Sequence, residues 1–231
     1  MHTLYRNPET KSPCYIIHNA FDVDSCDRIV EKYKDKVVRG SHVTEKGEVE
    51  TDDIIRHSEI VFLAEEHSIS NLLQNHIKVA NHLAGWELDI TSVEDVQFTK
   101  YGPKQHYSWH IDGNSCSLSK RRFAFQKSQG LSETVYPHLI DTCRKVSASL
   151  ILNDDFSGGE FETAFLNNDK KGDLLIEKQI HKPKKGDAII FPSYLNHRVR
   201  PVRVGTRYSL VVWAGGPPIK WVIHTGTTQK N

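Results

Sequence analysis

The second half of the chain restricts the possible folds most. Six short segments follow one another there with turn residues between them: 95–101, 147–153, 160–165, 173–178, 187–191 and 208–213. All are rich in Val, Ile, Leu, Phe and Thr, which suit a pleated, half-buried surface. Ser157-Gly158-Gly159 and Lys185-Gly186-Asp187 supply turn chemistry between them. Strands that succeed one another without intervening helices pair antiparallel, as a sandwich or a barrel.

The first half reads differently. Asp22 or Asp24 can cap a helix that places Cys26, Ile29, Val30 and Tyr33 on one face. A second helix carries Ile69, Leu72, Leu73, Ile77, Ala80 and Leu83 at the same period, with Gly85 as its stop. Between them, 39–53 is polar and reads as a loop. The expected organisation is a helical support region at 1–94 packed on a β core at 95–231. A long polar insertion at 113–144 interrupts that core, and loops of this length often serve as lids. The chain has 231 residues, 38% hydrophobic and 26% charged, which suits a packed core and excludes wholesale disorder.

A formal net charge of +1 gives no general attraction to nucleic acid or to a membrane surface. No stretch approaches the roughly 20 apolar residues that cross a bilayer, and the polar N-terminus lacks a signal-peptide core. Cys14, Cys26, Cys116 and Cys143 form no close pair and read as reduced thiols, so the expected location is cytoplasmic.

Chemistry enters with Tyr107-Ser108-Trp109-His110-Ile111-Asp112. Alternate residues of a strand share a face, so His110 and Asp112 can bind adjacent positions on one metal ion. His197, directly after the 187–191 strand, can be carried back to complete the set. Two histidines and a carboxylate suit non-haem Fe(II) with open positions, and catalytic zinc accepts the same donors. Arg207 bears on that choice. It follows ten residues after His197, with Ser209 on the same face of its strand. A guanidinium and a hydroxyl there can grip a carboxylate. A cosubstrate with a chelating end and a distal carboxylate fits, and 2-oxoglutarate has both.

These residues carry a family resemblance. Segment 97–112, the strand and Gly-Gly-Glu turn at 149–160, and Lys184-Lys185-Gly186-Asp187-Ala188-Ile189-Ile190-Phe191-Pro192-Ser193 resemble prolyl 4-hydroxylase-type oxygenases. His197-Arg198-Val199-Arg200-Pro201-Val202 and Gly205-Thr206-Arg207-Tyr208-Ser209-Leu210 continue the likeness, which runs from about 95 to 214. The chain is especially similar to the bacterial and phage branch called PKHD-type hydroxylases.

The resemblance implies a mainly β fold with flanking helices, built on a double-stranded β-helix (jelly-roll) core. It implies His110, Asp112 and His197 as Fe(II) ligands and Arg207 as the anchor of 2-oxoglutarate. Tyr101, Ser209 and Tyr107 are further candidates to line the cosubstrate pocket. The implied activity is dioxygen-dependent hydroxylation of a C–H bond, with ascorbate as an accessory cofactor and a peptidyl proline as substrate. The alternatives are the same chemistry on a free amino acid, another small molecule or a nucleobase, a zinc-dependent hydrolase, and a non-catalytic binding module. Trp109 and Trp213 read as packing residues, and Arg198–Arg203 as a solvated rim.

Overall fold

The computed structural model of the chain describes residues 12–40, 42–43, 49–63, 66–113, 142–168 and 174–218. In chain order the elements begin with β1 (Tyr15–Ile17), α1 (Val23–Tyr33), β2 (Val38–Arg39), β3 (His42–Val43) and β4 (Val49–Glu50). They continue with β5 (Arg56–His57), β6 (Glu59–Phe62), α2 (His67–Leu83), β7 (Ser92–Val93), β8 (Gln97–Tyr101) and β9 (His106–His110). The last group is β10 (Cys143–Ile151), β11 (Ser157–Gly158), β12 (Phe161–Asn168), β13 (Leu174–His181), β14 (Ala188–Pro192), β15 (Asn196–Val199), β16 (Val202–Val204) and β17 (Arg207–Gly216).

A larger sheet runs in the order β1-β14-β10-β17-β8-β6-β2, with β7 also paired to β17. A smaller one runs β13-β12-β15-β9-β5. All of their pairings are antiparallel. The two sheets face each other as a jelly roll, and both helices cover the outer face of the larger one.

Strand alternation separates two cores. Phe98, Ala148, Leu150, Ile190, Leu210 and Val212 point outward and meet Cys26 and Ile29 of α1 and Leu73, Ile77 and Ala80 of α2. Their neighbours Thr99, Tyr101, Ser149, Ile189, Phe191 and Ser209 therefore point between the sheets. There Tyr101, Ile189 and Phe191 pack with Phe161, Leu195, Val199 and Val202. The outer core is aliphatic and aromatic apart from the Cys26 thiol, whereas the inner space keeps several hydroxyls.

The helices end as their sequences dictate. Asp22 caps α1 by accepting from Ser25 N at 2.8 Å. Gly85 (φ 71°) takes the left-handed conformation that closes α2, and Trp86 N then donates to Asn81 O. Residues before 95 supply more than helices, because β1, β2 and β6 extend the larger sheet and β5 the smaller one. The stretch 39–53, expected as a loop, includes the short pair β3–β4. Two-residue strands carry no period that a sequence could reveal. The 113–144 insertion lies outside the described residues except at its ends. Among the described residues, no helix is long and apolar enough to cross a membrane.

Candidate active site

β9 and β15 pair with His110 directly opposite His197, and the two ring centroids are 4.1 Å apart. Asp112 lies just beyond β9. Its Oδ1 is 3.7 Å from His110 Nε2 and its Oδ2 is 3.5 Å from His197 Nε2. One donor atom from each residue lies within 4.8 Å of the others. Among the described residues, no other trio of His, Cys, Asp or Glu gathers in this way.

The far side of each ring is also fixed. His110 Nδ1 faces Ser108 O at 2.8 Å, and His197 Nδ1 faces Leu195 O at 2.9 Å. A carbonyl can only accept, so Nδ1 carries the proton and Nε2 presents its lone pair. Burial, aided by the His197 ring alongside, pushes the His110 imidazole down to about 3, so it is neutral at physiological pH. Burial would by itself raise the Asp112 carboxyl. Its surroundings of His197, His110 and Arg144, with a hydrogen bond from Ser147, instead hold it below the usual carboxylate range. The result is two imidazole Nε2 atoms and one carboxylate, all facing one point.

Asp112 stands beside His110, as the sequence led us to expect, but not through strand alternation. β9 ends at His110, so alternation does not reach Asp112. The turn after β14 holds it instead, because Asp112 N and Gly113 N both donate to Ser193 O, at 2.9 and 2.7 Å.

Arg207 forms the second pole, at the start of β17 opposite Tyr101. It is only 2% exposed. Its Nη1 donates to Ser209 Oγ at 2.9 Å, and its guanidinium carbon lies 5.6 Å from the Tyr101 ring centre. Among the described residues no carboxylate pairs with it. An arginine keeps its charge even though burial lowers its pKa, and an uncompensated buried cation is costly. The position therefore favours an incoming anion. Gly159 (φ 62°) leaves the space this side chain fills, since a Cβ there would sit 3.0 Å from Arg207 Cδ. Burial raises the phenols of Tyr101 and Tyr107, which stay protonated and able to donate.

Tyr107 enters the site through an irregularity. Between His197↔His110 and Val199↔Tyr107 the register slips, because two residues of β9, Ser108 and Trp109, face one of β15, Arg198. This bulge turns Tyr107 to the same side as His110, and the rings stack with centroids 3.6 Å apart. The other face of Tyr107 carries Arg56 of β5, whose guanidinium lies 4.8 Å from the ring centre. Arg56 is buried and donates from Nε to Ser58 Oγ. Sequence reasoning missed it, since a lone arginine in a polar stretch carries no signal.

Two other expectations resolve as follows. Trp109 lies half-buried on the outer face of the smaller sheet, with Arg198 and Lys178 over its ring. Arg198 is neutralised by Glu162 and Arg203 by Glu160, so the rim is less basic than its sequence. Trp213 is buried on the inner side. Arg144 lies 3.7 Å over its ring and is held by both oxygens of Glu94, and the indole Nε1 has no acceptor among the described residues.

The donor chemistry fits non-haem iron with an organic acid bound beside it. The sequence profile of the 2OG-Fe(II) oxygenase superfamily matches residues 96–215, the span that holds the trio and Arg207. The chain belongs to this superfamily. Membership makes it a 2-oxoglutarate-dependent dioxygenase by class. It is 23% identical over 210 residues to a protein of Acanthamoeba polyphaga mimivirus named "Putative prolyl 4-hydroxylase", covering 86% of this chain and 72% of that one. It is 32% identical over 121 residues to a PKHD-type hydroxylase of Xylella fastidiosa (strain M12), covering 51% of this chain and 42% of the other. The match thus spans less than half of the Xylella protein.

Solved oxygenases share the fold. The viral collagen prolyl hydroxylase of Paramecium bursaria Chlorella virus-1, in its 2OG complex, superposes with a TM-score of 0.57 at 18% identity, covering 91% of this chain and 99% of that one. The Trichoplax adhaerens prolyl hydroxylase, solved with a hypoxia inducible factor peptide, gives 0.59 at 18% identity, covering 87% and 83%.

Proposed function

We propose that this oxygenase hydroxylates a C–H bond of a peptidyl proline, with 2-oxoglutarate converted to succinate and carbon dioxide. One observation carries the site assignment. A trio of two histidines and a carboxylate and a buried arginine with no described counter-charge share the space between the sheets.

In this reading His110, Asp112 and His197 hold Fe(II) through Nε2, a carboxylate oxygen and Nε2. Iron, once bound, supplies the oxidising chemistry, activating dioxygen as 2-oxoglutarate loses carbon dioxide. The chain's own residues bind and orient. Arg207 and Ser209, with Tyr101 beside them, grip the distal carboxylate, so the keto acid end is directed toward the trio. Phe161 and Phe191 flank the His197 ring and keep water from that side. Tyr107 and Arg56 close the side of β5.

The prolyl assignment rests on the named relatives and on the neighbour solved with a peptide. The reading keeps 1–94 as a support for the 95–231 core, ascorbate as an accessory reductant and a cytoplasmic setting, with Cys14, Cys26 and Cys143 as free thiols. The test is succinate release with Fe(II) and 2-oxoglutarate against proline-containing peptides, free amino acids and nucleic acids. Peptide-dependent turnover that disappears in Asp112→Ala is the expected result. Turnover with a free metabolite alone overturns the prolyl assignment, and an active Asp112→Ala overturns the ligand set.

A further inference from the structure

We infer that Ser147 and Ser193 form a hydroxyl relay that orients the Asp112 carboxylate in the site, and that this relay sets the metal affinity of the site. The inference rests on the ligand assignment proposed above.

The geometry defines the direction of each bond. Ser147 Oγ lies 2.7 Å from Asp112 Oδ2 and 2.9 Å from Ser193 Oγ. An ionised carboxylate only accepts, so Ser147 spends its single proton on Asp112. The Ser193 hydroxyl must then donate to Ser147. Both serines are fully buried, at 0% exposure, so water does not compete for these bonds. A chain of donors ending on a charge strengthens each link.

Ser193 acts twice. Its carbonyl holds the amides of Asp112 and Gly113, and its hydroxyl backs the bond from Ser147. It is itself pinned, because its amide donates to Lys145 O at 2.8 Å. Val146 pairs with Pro192 in the adjoining ladder. The carboxylate is thus aimed by β10 and the turn after β14, although its neighbour in sequence, His110, belongs to β9. Each histidine is oriented by the carbonyl two residues before it in the chain. Asp112 lies beyond its strand and is held by Ser147 and by the turn after β14.

The relay has a chemical consequence. The bond from Ser147 fixes the angle at which the Asp112 carboxylate meets Nε2 of His110 and Nε2 of His197. Without the relay the carboxylate loses this hydrogen bond and the orientation it imposes. Groups that orient a metal's ligands commonly set affinity by ten- to a hundred-fold. Ser147→Ala should therefore weaken metal binding about tenfold or more. Ser193→Ala should weaken it by less, about threefold, because the carbonyl bracket and the bond to Asp112 both survive. Each change deletes one oxygen and adds no volume.

The test is anaerobic titration of the metal-free full chain with Co(II), followed by visible absorption. The expected result is a graded loss of affinity, Ser147→Ala more than Ser193→Ala, and an altered Co(II) band intensity in Ser147→Ala. A role in folding alone would not move that spectrum in protein that remains folded by circular dichroism. Ser193→Ala, which keeps the Asp112 bond, supplies the reading if Ser147→Ala does not fold. Wild-type affinity and spectrum in the folded serine variants overturn the relay. Asp112→Ala separates the two ideas, since loss of Co(II) binding there upholds the ligand set whatever the serines do. Retained binding in Asp112→Ala overturns the ligand set and the relay with it.

Discussion

The ring of Tyr107 stacks on that of His110 with centroids 3.6 Å apart, although an unbroken strand would turn them to opposite faces. The bulge in β9 makes this contact, so one irregular residue adds a wall to the site. Tyr107→Ala should loosen His110 and uncover Arg56. A stacked pair of this kind contributes on the order of 0.5–1.5 kcal/mol, so metal affinity should fall roughly threefold to tenfold. Tyr107→Phe should stay near wild type. Equal losses in both would assign the effect to the hydroxyl.

In the proposed reading Arg207 grips the cosubstrate. Removing a charge-assisted grip in a buried site costs on the order of 2–4 kcal/mol. The dissociation constant for 2-oxoglutarate in Arg207→Ala should therefore rise about 30-fold or more. Arg207→Lys should fall between, since it keeps the charge and loses the fork. Calorimetric titration of the metal-loaded protein measures both, and an unchanged constant in the alanine variant removes Arg207 from the role.

Gly113 offers a way to disturb Asp112 without touching a ligand. A Cβ there would lie 3.0 Å from Arg144 O and 3.2 Å from the Ser193 Cβ. Gly113→Ala must push the bracket apart, at an overpacking cost of about 1–3 kcal/mol. Thermal unfolding should show a lower midpoint, and metal titration a weaker site. Unchanged metal binding would show that the bracket absorbs the methyl group elsewhere.

Asp187 sets part of the acid sensitivity. Burial opposes its charge, but amides of Lys184 and Asn19 and the ring of His18 donate to it and hold its pKa below the usual value. A depressed folded pKa stabilises above the unfolded value, near 3.9. That contribution is lost as pH falls through the lower folded value. Asp187→Asn should destabilise by about 1–3 kcal/mol at neutral pH. Denaturant melts should show the gap to wild type closing below about pH 4. A gap independent of pH would place the effect in packing.

The strands of the β core were legible because each is long enough to show its composition. Their ends were not: β10 starts at Cys143, earlier than its apolar run, and β13 continues to His181. β1, β5 and β6 were invisible because two to four residues define no period. At the site, His110, Asp112, His197 and Arg207 could be read from sequence since metal and carboxylate chemistry restrict residue type. Arg56, Ser147 and Ser193 could not, since arginine and serine occur everywhere and only the fold brings these together. The bulge that turns Tyr107 inward has no sequence signature at all.

β13 closes the smaller sheet, and among the described residues only β12 pairs with it. Its outer edge leaves a row of backbone amides and carbonyls unpaired, beside exposed Leu174, Ile176 and Ile180. Such a border is a template on which another strand, including its own copy, can grow. Glu177 and Lys178 sit at its middle. In an antiparallel self-match centred on either one, like charges meet face to face and repel, whereas full overlap of the eight residues sets Glu177 against Lys178. The same eight residues thus carry both an invitation to assemble and an electrostatic preference for one register.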